Sequence, residues 1–118
     1  MRFILFVIDD GHSAAGNDEM LAIGAFNESL KAAGQFVMAE GIRSGAEARV
    51  IDNRGGIASV SAGSIYSDTE RFTGFWIIEA NDEDEALAIA QGASLACNRK
   101  VELRGFLREP TRNHRLET

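Results

Sequence analysis

The chain has 118 residues, 45% of them hydrophobic and 25% charged, with one proline and twelve glycines. That is the make-up of one soluble globular domain with its own core, and it excludes a fibrous or disordered chain. The single cysteine, Cys97, excludes a disulfide scaffold and fits a reducing compartment. Twelve basic residues against eighteen acidic leave a net charge of −6, the wrong sign for a nucleic-acid or anionic-membrane surface.

The first element is a strand over residues 2–8, too short for an independent helix and rich in branched and aromatic side chains. Its apolar run stops at Asp9 and Asp10, short of a signal-peptide core, and no stretch approaches the ~20 apolar residues of a membrane span. A cytoplasmic protein without a membrane anchor is expected. The strand is apolar on both faces, with Phe3, Leu5 and Val7 on one and Ile4, Phe6 and Ile8 on the other.

A loop over 9–16 leads into a helix that Asn17 or a neighbour caps, with Asp18 and Glu19 in its first turn. Met20, Ile23, Phe26, Leu30 and Ala33 recur at steps of three and four and mark its buried stripe; Gly34 is the stop. Short strands follow over 36–39, 48–51 and 57–61, the last two joined as a hairpin by Asp52-Asn53-Arg54-Gly55-Gly56. Residues 72–79 form the second strong strand, again apolar on both faces, with Phe72, Trp76 and Ile78 against Phe75 and Ile77. Asn81 and the acids behind it open a second helix with a small-residue face, and a strand over 101–107 ends the domain. Residues 1–108 are one domain and 109–118 a polar tail.

The order β-α-β-β-β-β-α-β is that of a split βαβ sheet with an inserted hairpin: α+β, ferredoxin-like and antiparallel, with both helices on one face. Two helices on one face cannot cover both sides of the apolar strands. A second subunit is therefore expected on the other face, in a homodimer.

Phosphate-loop, dinucleotide, nucleophile-elbow and zinc-protease motifs are absent, so neither a cofactor nor a metal is expected. Asp9, His12 and Glu40 are the candidates for handling a proton, since carboxylates and an imidazole near strand ends can act as acid or base. Arg43 and Arg71 are candidates to grip an anion through the planar guanidinium fork, and Tyr66 to close over a ligand. Surface ion pairing and helix capping are the competing readings of the same charges. Cys97, late in the second helix, reads as an inert core thiol, and His114 lies in the tail.

Several words in this order carry a resemblance: the first strand ending in acids, Phe26-Asn27-Glu28-Ser29-Leu30, Ala39-Glu40-Gly41-Ile42, Thr73-Gly74-Phe75-Trp76-Ile77-Ile78-Glu79-Ala80, and Val101-Glu102-Leu103-Arg104. The chain resembles the YCII-related family over about residues 1–108, in particular its DGPF-type branch. The resemblance implies a ferredoxin-like fold paired into a dimeric α/β barrel. It also implies, for some members, a His–Asp pair with the His on the first helix; Ile23 stands at that position here. The D-G-P-F word is Ala62-Gly63-Ser64-Ile65, so only Gly63 matches.

The reading is a homodimer that binds a small organic molecule in a cleft between sheet and helices, with cofactor-free acid–base catalysis as its chemistry. The alternatives are a non-catalytic ligand-sensing or partner-binding module, and a cofactor-independent monooxygenase with an apolar cavity lined by Phe36, Phe75 and Trp76.

Overall fold

The computed structural model describes residues 1–11, 16–65 and 70–108. The elements run β1 (Arg2–Asp9), α1 (Asn17–Ala32), β2 (Phe36–Gly41), β3 (Arg49–Asp52), β4 (Ser59–Ala62), β5 (Arg71–Glu79), α2 (Glu83–Cys97) and β6 (Lys100–Gly105), with short 3₁₀ turns at Gly45–Glu47 and Arg54–Gly56. Four strands form one antiparallel sheet in the order β2-β5-β1-β6, while β3 and β4 form a separate two-stranded sheet. Without the hairpin this is the ferredoxin-like split βαβ arrangement, with β1 and β5 central. The six expected strands are present, but the hairpin does not join the main sheet.

Both helices lie on one face. Phe3, Leu5 and Val7 of β1 and Trp76 and Ile78 of β5 are buried there beneath Leu30 of α1 and Ala86, Ile89, Ala93 and Cys97 of α2. The register explains the layer: Phe3 pairs with Ile78, Leu5 with Trp76 and Leu103, and Val7 with Gly74 and Val101, so side chains of neighbouring strands stack on the same side. The small side chains of α2 let it approach closely. A Cβ added at Gly92 would lie 2.9 Å from the ring of Phe26, which itself meets Trp76 edge-on at 5.7 Å.

The opposite, open face carries Ile4, Phe6 and Ile8 of β1, all half-buried, with Phe75 and Ile77 of β5 beside them. Phe72 belongs to this face too, against the strict alternation expected from sequence. The register shifts between Val7 and Ile8, so that Ile8 pairs with Phe72 and Thr73 is the extra residue. The bulge turns the start of β5 over by one side chain, and Phe72 stacks on Phe6 at 4.9 Å.

The helix ends show local chemistry at work. Gly34, at φ +72°, donates its N–H to Lys31 O, and Gln35 N–H reaches Leu30 O, the paired bonds of a Schellman stop. At the start of α1 the cap is Gly16, the neighbour of Asn17; it makes no side-chain bond, and Asn17 is already helical. For α2 the cap is Asp82 rather than Asn81; its carboxylate accepts Glu85 N–H at 2.8 Å, while Asn81 bonds the Glu85 side chain.

Candidate functional site

Between the covered face and the two helices lies a cleft of about 410 Å³. The ends of β1 and β2 and the first part of β5 make its floor, Met20, Ile23 and Asn27 of α1 one wall, and the end of α2 with Arg99 the other. Val7, Met20, Ile23, Ala39 and Trp76 give it an apolar lining. Asp9, Asn27, Thr73 and Arg99 bring polar groups to the same space. An apolar hollow with a few convergent polar groups is the ordinary form of a small-molecule site.

Each polar group is held by the fold. Asn27 Oδ1 accepts the indole N–H of Trp76 at 2.6 Å. Since the indole can only donate, the bonded atom is the amide oxygen and the NH₂ end is turned the other way. Asp9 follows Val7 on the covered face, and its Oδ1 accepts Gly11 N–H at 2.9 Å. Arg99 ties three elements together: its Nη1 donates to Cys97 O at 2.8 Å and to Glu19 Oε2 of α1 at 3.2 Å, and its Nε lies 3.8 Å from Asp9 Oδ1. At 13% side-chain exposure this guanidinium is largely covered by the groups it holds. Cys97 is buried at the cleft wall; burial pushes its thiol pKa up, with the Arg99 backbone and charge opposing. That is the opposite of an activated nucleophile.

The sequence candidates separate. Asp9 and Glu40 both border the cleft. Glu40, however, pairs with Phe75 on exposed edge strand β2, and the pleat directs its side chain to the open face. Arg43 and Arg71 do not reach the cleft; they border a second cavity of about 350 Å³ with Ile8, Phe72 and Glu102. Arg43 is exposed and pairs with Glu47 at 3.1 Å. His12, Tyr66 and His114 lie outside the described residues. Of the aromatic trio, Trp76 lines the cleft; Phe75 borders it but, like its partner Glu40, belongs to the open face, and Phe36 packs into the core beside it. Ile23, where the resemblance puts a His, does line the cleft, so this chain presents an apolar group there. No cluster of three His, Cys, Asp or Glu side chains among the described residues could hold a metal ion. No helix among them is long and apolar enough to cross a membrane.

Sequence reasoning missed Arg99 and Asn27. An Arg just after a helix reads as an ordinary end-of-helix cation. Asn27 did leave a signal: it stands four residues after Ile23 and three before Leu30, a polar residue on an apolar stripe.

A family model described as YCII-related domain matches residues 1–104. No curated protein matches the chain. Among solved structures, 5-chloro-2-hydroxyhydroquinone dehydrochlorinase (TftG) from Burkholderia phenoliruptrix AC1100, in complex with 2,5-dihydroxybenzoquinone, is similar at 16% identity and a TM-score of 0.44, covering 90% of this chain and 93% of that one.

Proposed function

The chain belongs to the YCII-related domain family, and from that membership and the cleft together we propose that it is a cytoplasmic homodimer that binds a small, neutral, ring-sized organic molecule and moves a proton on it without a cofactor. The observation that carries this is the convergence of Asp9 and Asn27 on one apolar hollow. The Asp9 carboxylate is the proton acceptor. Asn27 donates a hydrogen bond to an oxygen of the ligand, and Trp76 offers the ring a flat apolar wall. Asp9 and Glu19 outnumber the Arg99 that holds them beside the cleft, which disfavours an anionic ligand. Support for the dimer is the open sheet face, where Ile4, Phe6, Phe75 and Ile77 lack a helix layer. The free, buried Cys97 accords with a reducing compartment.

Trp76 is the only tryptophan, so its fluorescence reports on the cleft. Titration with a panel of monocyclic phenols and cyclic ketones should give a saturable change in emission, weakened at least tenfold in Asn27→Ala. In D₂O, a bound ketone should exchange its α-protons, as read by NMR, and Asp9→Asn should abolish that exchange while leaving binding in place. Binding without exchange would leave the non-catalytic ligand-sensing module as the reading. No saturable response from any member of the panel would remove the small-molecule site itself. Light scattering at micromolar concentration should give twice the 12.8 kDa chain mass; a monodisperse monomer would remove the dimer.

A further inference from the structure

The hairpin of β3 and β4 plays no part in the cleft. Among the described residues its strands pair only with each other. Ile51 and Val60 are direct cross-strand partners and are 66% and 64% exposed; Ile57 and Ile65, at its tip and root, are also exposed. A two-stranded hairpin is marginal alone in water, and branched apolar side chains gathered on one arm are more than the scattered singles of an ordinary surface.

The root of this arm stands on the open-face side of the main sheet. Gly63 N–H bonds Ala48 O at 2.8 Å and closes the root. The second cavity is the corner between root and sheet, with Ile42, Ala48 and Ser64 on one side and Ile8, Phe72 and Glu102 of the open face on the other. Ionic groups around that corner are paired within the subunit: Lys100 with Glu70 at 2.6 Å, Arg104 with Glu102 at 2.6 Å, and Arg43 with Glu47 at 3.1 Å. The centre of the open face, Ile4, Phe6, Phe75 and Ile77, is apolar, with Glu40 at its β2 edge and Arg71 at the corner.

Area decides the occupant. Four strands of six to nine residues, ~4.8 Å apart, have a flat footprint of roughly 450 Å², and the apolar residues on the open face are already half-buried within the subunit; a standard interface takes about 800 Å² of accessible surface from each partner. The sheet face offers little accessible apolar surface by itself, and the exposed Ile51 and Val60 of the arm rising from its rim add to it. One twofold axis covers two sheet faces and two arms at once, which a second copy achieves with no other surface. We propose that the arm of one subunit lies across the open sheet face of its partner, so that the two arms clasp the dimer. This inference rests on the homodimer reading above.

The test uses the full chain, with the double variant Ile51→Asp/Val60→Asp and the control Leu95→Asp, whose site is an 84% exposed position on α2. Sedimentation should show a wild-type dimer, an unchanged dimer for the control, and at least a hundredfold rise in the dimer dissociation constant for the arm variant. Its far-ultraviolet circular dichroism and Trp76 emission should stay native, because Ile51 and Val60 are largely exposed in the subunit. A wild-type dimer that the arm variant leaves intact would overturn the clasp and keep the dimer. Equal weakening by Leu95→Asp, or loss of the native spectrum in the arm variant, would also overturn it. A wild-type monomer would remove both readings.

Discussion

Along β1 every second residue is buried and every intervening one is not. Phe3, Leu5 and Val7 are 4%, 0% and 8% exposed, while Ile4, Phe6 and Ile8 keep part of their surface. The chemistry of the two sets is nearly the same; the difference is the layer above them. On the covered face α1 and α2 bring Leu30, Ala86, Ile89 and Ala93 into contact with the strands. On the open face the described residues give lateral shelter, from the Phe6–Phe72 stack and from Arg104, whose guanidinium lies 5.6 Å from the Phe6 ring centre. Apolarity on a strand face thus marks a face that has to be covered, and does not say by what.

The largest effect separating the faces is expected at their centres. Leu5→Ala should cost about 2–5 kcal/mol in urea unfolding at any protein concentration, since it opens a cavity in a filled core. Ile4→Ala should cost only ~1 kcal/mol at nanomolar dilution, and more as concentration rises and the open face becomes covered. Equal, concentration-independent costs would erase the distinction. Next comes Gly74→Ala on the covered face. The new Cβ would lie 2.9 Å from the carbonyl oxygen of Glu40, a backbone atom that cannot swing away. About 1–3 kcal/mol of destabilisation is expected, together with weaker ligand-induced change in Trp76 emission, because both strands border the cleft.

Smaller effects belong to the helices that make the covered face. Asp82→Ala removes the α2 cap and should cost ~1 kcal/mol, whereas Asn17→Ala should change little, because α1 has no side-chain cap to lose. The smallest effect is at Cys97. Burial raises its pKa, so the folded chain holds the thiol proton more tightly than the unfolded chain. The stability this contributes is complete below the ordinary thiol pKa of about 8.5 and is lost as pH rises through the raised value. The urea midpoint of the wild type should therefore fall more steeply above that pH than the midpoint of Cys97→Ala. Parallel profiles would show that the thiol stays protonated or untouched by folding.

Much of the fold was legible because its signals are short-range. The two-sided apolarity of β1 and β5, the stripe from Ile23 to Leu30 and the stop at Gly34 each need only a few consecutive residues to be read. Strict alternation through Thr73 puts Phe72 on the wrong face. The bulge there depends on how β1 and β5 register, with Thr73 O turned to accept Ile42 N–H at 3.0 Å. The hairpin was legible as a hairpin; that it stands apart from the main sheet was not. Asp9, singled out by its place at the end of a central strand, does border the cleft. Glu40 was found as a neighbour of the cleft but not as a side chain directed to the other face, since edge-strand register sets that direction.

Element order, strand faces, helix stops and the need for cover on two sides follow from the sequence alone, because backbone periodicity and capping act over four residues or fewer. The site is a different matter. Asn27 meets Trp76 across 49 residues, and Glu19 meets Arg99 across 80. Those pairs exist only because the antiparallel register brings the end of β1, the first turns of α1 and the end of α2 to one corner of the sheet. No local pattern encodes that meeting. It is decided by which of two chemically similar faces the helices settle on, and that choice is made by packing over the whole domain.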